Sequence, residues 1–199
     1  EETFDPADPS DTSVTRFEYG SDRPNLVRIN RNGDITEYEY SNGKRVAAIH
    51  YPDSSTALVR RTEYDNRGRI TAEIDAYGCR TAYDRDPFGN VTRTTRELTP
   101  GGTVISTGTV YDTVTGFAVA AVDEHGRTTR YEYDFLNRKV RTVYSDNDSD
   151  PDNNPYTQVT YDTADRVIAA ADELGNREEY VYDARGNRVR IIHPDGTGR

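Results

Sequence analysis

Residues 180–187 read YVYDARGN, and the tyrosine–aspartate pair within this stretch, Tyr182-Asp183, recurs along the chain. Two further clear copies are YDNRGR at residues 64–69 and YDTADR at residues 161–166. Self-similarity at a regular spacing indicates one supersecondary unit that is used many times. The sequence therefore predicts a repeat protein, whose function depends on a repeated surface and not on a single cleft.

The recurrent tyrosine is expected at eight positions, with successive spacings of 21, 24, 19, 28, 22, 28 and 21 residues. The repeat unit is therefore about 21 residues long and tolerates insertions. The residues predicted to build the repeat are Tyr19, Tyr40, Tyr64, Asp65, Gly68, Tyr83, Tyr111, Asp112, Tyr133, Asp134, Tyr161, Asp162, Tyr182, Asp183 and Gly186.

An aspartate followed three residues later by glycine predicts a tight turn. The aspartate side chain accepts hydrogen bonds from the backbone two residues on, and glycine takes the positive φ of a type I turn with a bulge. Asn137 and Asp165 replace this glycine in two copies, and both residue types tolerate a left-handed conformation. A second turn signal falls between the copies, at residues 30–33, 75–78, 123–126 and 172–175. Each unit should thus contain two strands and two turns.

Between the turns, apolar and polar residues alternate with a period of two, as at Ile70, Ala72 and Ile74. Short strands joined by tight turns predict an all-β fold, an antiparallel meander of tandem hairpins that forms a curved or spiralling β-ribbon. We expect this ribbon to cover residues 16–199, with insertions near residues 94–109 and 145–158. Residues 1–15 are expected to be a linker or a tail that covers an edge.

The composition supports a thin, partly solvated sheet. Only 33% of the 199 residues are hydrophobic and the mean hydropathy is −0.92, but 15 tyrosines argue against disorder. The formal charge of −10 makes nucleic acid an improbable partner, and no stretch is apolar enough to predict a membrane span. The absence of methionine indicates a piece of a longer protein, whose strand edges would pair with more chain.

The frame YVYDARGN, followed by HPDG at residues 193–196, resembles the YD or Rhs repeats. Such repeats occur in bacterial Rhs and wall-associated polymorphic toxins, in the cage-forming subunits of insecticidal toxin complexes, and in teneurins. The resemblance extends over nearly the whole chain, residues 16–199. It implies a long β-ribbon that spirals into a hollow shell, banded inside with tyrosines, around a toxic or folded cargo. It also implies a very large bacterial protein, secreted or bound to the cell surface, whose repeats are not catalytic.

The predicted function is therefore that of a structural, non-enzymatic segment of a shell or scaffold that encloses or presents a toxin-like cargo. The expected partners are flanking repeats or domains of the same polypeptide, further copies that pair through strand edges, and the enclosed toxin domain. The alternative is a cell-surface recognition or adhesion module that binds glycans or a partner protein with the help of calcium. Outward-facing tyrosines would favour the alternative, and inward bands would favour the shell.

Two motifs suggest further chemistry. Asp86 begins DPFG, which resembles the aspartyl autoproteolysis motif of several shells in this family, but Asn90 replaces the expected leucine and a turn is the favoured interpretation. Four carboxylates stand at alternate positions of an acidic insertion, a pattern that calcium ligands can have. These candidate ligands are Asp146, Asp148, Asp150 and Asp152. The competing interpretation is a solvated acidic loop, and no other cofactor is expected.

Overall fold

A computed structural model of the chain describes residues 15–21, 25–53, 55–146 and 153–197. These residues form sixteen β-strands and no helix, so no helix within them could cross a membrane. The strands lie in one sheet in the order in which they occur along the chain. The predicted all-β antiparallel meander is confirmed.

The strand bounds in the described residues are β1 (Thr15–Tyr19), β2 (Leu26–Arg31), β3 (Asp34–Ser41), β4 (Lys44–Tyr51), β5 (Leu58–Tyr64), β6 (Ile70–Ile74), β7 (Arg80–Arg85), β8 (Val91–Glu97), β9 (Val104–Tyr111), β10 (Ala118–Val122), β11 (Thr128–Tyr133), β12 (Lys139–Tyr144), β13 (Tyr156–Tyr161), β14 (Val167–Ala171), β15 (Arg177–Tyr182) and β16 (Arg188–Ile192).

The chain divides into two compact units. The first comprises residues 1–85 and 94–105, and the second comprises residues 86–93 and 106–199. In the first unit, β1 to β7 pair successively in antiparallel register. In the second unit, β9 to β16 do the same. Each strand therefore packs beside the strands that precede and follow it in sequence, as in other repeat proteins.

The buried residues of the described chain are small. They are Ala47, Ala72, Ala120, Ala169 and Thr142, which lie inside β4, β6, β10, β14 and β12. No large side chain among the described residues is fully buried. All five strands follow a turn that comes directly after a recurrent tyrosine, so the repeat places its buried small residues in one kind of strand and its recurrent tyrosines in the other. This division explains how a sequence with so few hydrophobic residues forms a sheet without a thick core.

Register shifts also follow the repeat. Strand pairs that are joined by a tyrosine-bearing turn carry a shift, for example beside Tyr64, Tyr133, Tyr161 and Tyr182. The strand pairs joined by the intervening turns, such as β6 with β7 and β14 with β15, have continuous register. A β-bulge re-aims a side chain relative to the regular pleat. The shift thus accompanies the tyrosine and is not a property of every turn.

Several sequence-based boundaries need correction. The turn predicted at residues 30–33 is a two-residue hairpin turn between Arg31 and Asp34. Its central residues Asn32 and Gly33 both have positive φ, 52° and 96°, because Asn-Gly suits a type I′ turn. The insertion predicted at 94–109 is a longer hairpin of β8 and β9, closed by the Leu98 N–H donating to the Thr103 carbonyl at 2.8 Å. The insertion predicted at 145–158 ends earlier, since Tyr156 begins β13, and β1 begins at Thr15 within the predicted tail.

Candidate functional site at the tyrosine–aspartate turns

The turn at Asp183 shows how the repeat is built. One carboxylate oxygen of Asp183 accepts hydrogen bonds from the backbone N–H groups of Arg185 and Asn187, at 2.9 and 2.8 Å. The Gly186 N–H donates to the Asp183 carbonyl at 3.0 Å, and Gly186 has φ 88°. The same side-chain pattern recurs at Asp65, Asp75, Asp123, Asp134, Asp162 and Asp172. Where glycine is missing, Asn137 and Asp165 adopt φ 63° and 62°.

The second carboxylate oxygen of most turn aspartates accepts a bond from the side chain four residues later. In four turns the donor is an arginine Nε, 2.7 to 2.8 Å from the carboxylate oxygen; these arginines are Arg69, Arg127, Arg138 and Arg166. Asparagine Nδ2 serves at Asn90, Asn176 and Asn187, at 2.8 to 3.0 Å. In these seven turns the fifth residue is an arginine or an asparagine that donates to the aspartate, whereas the turn at Asp75 has Cys79 there.

These hydrogen bonds favour the ionised carboxylates. The backbone and side-chain hydrogen bonds from Arg69 hold the pKa of Asp65 below its ordinary value. The side-chain and backbone hydrogen bonds from Asn187 do the same for the pKa of Asp183. Stabilisation of the charged form by its donors is the physical cause in both cases.

The recurrent tyrosine connects one tyrosine-bearing turn to the previous one. The hydroxyl of Tyr182 donates to the Val167 carbonyl at 2.7 Å, and that of Tyr133 donates to the Ala118 carbonyl at 2.8 Å. Both acceptors are the first residues of the preceding strands. Tyr64 and Tyr40 donate in the same way to the carbonyls of Arg45 and Leu26, at 3.0 and 2.9 Å.

A covering side chain lies over the tyrosine ring in several repeats. The guanidinium carbon of Arg138 is 4.6 Å from the ring centre of Tyr161, and that of Arg166 is 4.8 Å from the ring centre of Tyr182. Each of these arginines also bonds the aspartate of its own turn. A single side chain therefore joins two consecutive repeats.

Lysine and phenylalanine take the covering position elsewhere. The Nζ of Lys44 is 5.2 Å from the ring centre of Tyr64. The ring of Phe117 stacks on Tyr133 with centroids 5.2 Å apart. A cation or an aromatic ring both suit the electron-rich face of tyrosine. We define the covering position as the residue between a tyrosine-bearing turn and the next strand that contacts the following recurrent tyrosine.

The structure corrects the predicted role of Tyr83. The turn in this repeat begins at Asp86, whose carboxylate accepts from the backbone N–H groups of Gly89 and Asn90. Arg85 takes the place of the recurrent tyrosine and donates to the Ile70 carbonyl at 3.2 Å, an acceptor that begins β6 as Val167 begins β14. Tyr83 lies two residues earlier, and its hydroxyl donates to Glu73 at 2.7 Å. The aspartate, and not the tyrosine, therefore sets the register of the repeat.

The remaining predicted residues are placed as follows. Tyr19 ends β1 and is mostly exposed. Tyr111 and Asp112 precede a turn that is one residue longer, with the Asp112 N–H donating to the Phe117 carbonyl at 2.8 Å. The Asp146 N–H donates to the side chain of Asn154 at 3.2 Å. The other proposed calcium ligands, Asp148, Asp150 and Asp152, lie outside the described residues.

Sequence reasoning missed the covering side chains and the hairpin at Asn42 and Gly43, where both residues have positive φ. The Asn-Gly pair is a strong hairpin signal and could have identified this turn. The covering contacts had no comparable signal, because Arg138 and Tyr161 are brought together only by the sheet. Within the described ranges, no three His, Cys, Asp or Glu side chains converge as a metal-binding group.

Residues 161–197 match the family described as RHS Repeat. No curated protein sequence matches the chain.

Solved structures of toxin complexes share the fold. The Photorhabdus luminescens Tc holotoxin pore with a mutation in TccC3 aligns with a TM-score of 0.56 and 15% identity, over 91% of this chain and 11% of that one. A TcdB2-TccC3-Cdc42 structure aligns with a TM-score of 0.56 and 14% identity, again over 91% and 11%. A TcdB2-TccC3-TEV structure aligns with a TM-score of 0.50 and 15% identity, over 90% and 11%. The chain therefore spans about a ninth of the length of these structures, and its residues 161–197 are similar to the RHS repeat.

Proposed function

We propose that this chain is a structural, non-catalytic wall segment of a YD/Rhs-repeat shell or scaffold. The observation that carries the proposal is the link between consecutive tyrosine-bearing turns. Arg138 contacts Asp134 in its own turn, Asp165 in the next turn at 2.6 Å, and the ring of Tyr161. Side chains that are committed to neighbouring repeats in this way build a wall and are not available as acids, bases or nucleophiles.

We infer that the wall belongs to a large bacterial protein that is secreted or held at the cell surface. The match of 91% of this chain to 11% of a toxin-complex chain supports a segment whose neighbours are further repeats or domains of the same polypeptide. The outer edges of β1 and β16 are where such neighbours, or further copies, would pair. The enclosed or presented partner would be a toxin-like domain.

The test is made on the complete polypeptide that contains this chain. Electron cryo-microscopy should place these strands in the wall of a shell, and a protease should cleave the enclosed domain much more slowly than the same domain expressed alone. Breaking one repeat link with Arg138→Ala should increase cleavage, whereas Arg185→Ala at an exposed turn tip should not. An enclosed domain that is cleaved as fast as the free domain would exclude enclosure.

A recognition function is the second candidate, because several turns expose aromatic rings at their tips. Tyr77 is 83% exposed and Phe135 is 89% exposed, and sugar rings stack on such surfaces. The recurrent tyrosines are less suitable, since rings such as Tyr161 and Tyr182 are covered by arginines. Binding of the chain to a glycan array, lost on Tyr77→Ala and Phe135→Ala, would favour this candidate over the shell. Calcium dependence of that binding would implicate the acidic insertion.

A further inference from the structure

The turn that begins at Asp86, where Arg85 replaces the recurrent tyrosine, has no covering side chain among the described residues. In the repeat that begins at Asp86, the residue after the turn is Asn90, whose short side chain donates to Asp86 at 2.9 Å. The residue at the same place is Arg138 or Arg166 in later repeats, and it reaches the next recurrent tyrosine. The next recurrent tyrosine after Asn90 is Tyr111. Within the described chain, Tyr111 has no cation or ring over its face and no hydrogen bond from its hydroxyl.

A groove of about 590 Å³ lies where the covering side chain would be. Asn90, Tyr111 and Asp112 line it, together with Phe88 and Val114 from the tips of the two turns. Phe88 is 77% exposed and Val114 is 90% exposed. The groove thus combines an uncovered tyrosine with apolar walls, all within the second unit.

Asp112, which lines the groove, has a second carboxylate oxygen that its own turn does not use. The first oxygen of Asp112 accepts bonds from the Val114 and Thr115 N–H groups, at 3.0 and 2.7 Å, and from the Thr115 hydroxyl. The fourth residue after Asp112 is Gly116, which has no side chain to donate to the second oxygen. In the described part of the chain, that oxygen has no hydrogen-bond partner. A cation in the groove would pair with it in a chain whose formal charge is −10.

We propose that this groove binds an arginine side chain from a partner peptide segment, with an adjacent apolar side chain between Phe88 and Val114. The chain itself supplies the template, because Arg138 places its guanidinium over the ring of Tyr161 and pairs with the carboxylate of Asp165, which lies in the same turn as that tyrosine. A bound arginine would pair with the second oxygen of Asp112 and stack on Tyr111. Its planar guanidinium can satisfy both groups at once, which an ammonium group cannot do as well. The proposal does not depend on the shell function.

The test titrates the 199-residue chain with the capped peptide acetyl-Gly-Arg-Leu-Gly-amide and follows backbone amide signals by NMR. We expect shifts at the turn that contains Val114 and Thr115. A peptide with citrulline, which is nearly isosteric with arginine but uncharged, should bind about ten-fold more weakly, since it loses both the ion pair and the cation–π contact. Asp112→Asn keeps one side-chain oxygen, which can still accept the hydrogen bonds of the turn. It should lower the affinity for the arginine peptide and leave the affinity for the citrulline peptide unchanged.

A variant whose own side chain fills the groove gives the most direct test. Asn90→Arg should place the chain's own guanidinium over Tyr111, abolish peptide binding and raise the melting temperature. Asn176→Arg is the matched control, because Asn176 donates to Asp172 in the same way but does not line the groove. The proposal would be overturned if the citrulline peptide bound as tightly as the arginine peptide, or if the Asn90→Arg variant still bound the arginine peptide as well as the parent chain does. The absence of amide shifts at about 10 mM peptide would also overturn it. Equal binding of a phenylalanine peptide would assign the groove to aromatic side chains instead.

Discussion

Removing the hydroxyl of Tyr182 tests whether the tyrosine links hold the repeats together. Tyr182→Phe deletes the 2.7 Å hydrogen bond to the Val167 carbonyl and keeps the ring under Arg166. A hydrogen bond contributes about 0.5 to 1.5 kcal/mol net to the free energy of unfolding. The loss is larger when the carbonyl that stays behind has no hydrogen-bond donor and water cannot reach it. Val167 is only partly buried, so water can replace part of the lost bond. We therefore expect a loss of about 1 kcal/mol in the free energy of unfolding.

The assay is urea unfolding of the variant and the parent chain, followed by circular dichroism at 218 nm, with the slope of the transition compared to confirm that the same structure unfolds. For a chain of this size, the predicted loss corresponds to a fall of about 2 to 4 °C in melting temperature. Tyr77→Phe is the matched control, because the ring of Tyr77 is 83% exposed and its hydroxyl has no hydrogen bond within the described residues. A Tyr182→Phe variant as stable as the Tyr77→Phe variant would refute the role given to the tyrosine links.

Three further predictions concern the turns and the acidic insertion. Gly186→Val should cost more than about 1 kcal/mol in unfolding free energy, because φ at residue 186 is 88°, whereas Gly186→Asn should cost less, as Asn137 shows; equal losses in urea unfolding would contradict the turn assignment. The pKa of Asp183 is lower in the folded chain than the ordinary aspartate value of about 3.9, so its ionised carboxylate stabilises the fold fully above that value. This stabilisation is lost as the pH falls through the lower pKa of the folded state. Asp183→Asn should therefore reduce the acid dependence of the unfolding free energy, and an unchanged dependence would contradict this. If the acidic insertion binds calcium, millimolar calcium should raise the melting temperature of the chain. It should not raise the melting temperature of the double variant Asp148→Asn, Asp150→Asn. No change in the melting temperature of the parent chain would rule out the calcium site.

The sequence predicted those features whose chemistry is local. Aspartate and glycine three residues apart specify a turn without help from the rest of the chain, and even the exceptions at Asn137 and Asp165 follow from residue type. The predicted register of one repeat is wrong, because its turn depends on the carboxylate of Asp86 and not on Tyr83. The covering contacts could not be predicted, since Arg138 and Tyr161 are 23 positions apart and many arginines would have fitted the pattern equally well.

The insertions show which side of the repeat is under constraint. The tyrosine-bearing turns are linked to one another by hydroxyl–carbonyl bonds such as that from Tyr182 to Val167, so a long insertion in such a turn would separate the bonded partners. The turn at Asp112 is only one residue longer than that at Asp134. Two long connections occur at intervening turns, around residues 98–103 and between β12 and β13. A longer connection at these places does not separate a recurrent tyrosine from its carbonyl partner. Loop lengthening is thermodynamically cheap where nothing else depends on the loop, since closure entropy grows only slowly with length. Most of the irregular spacing of the repeat in the sequence is therefore a consequence of where its links lie: length varies most at the intervening turns, because the tyrosine-bearing turns carry the contacts between repeats.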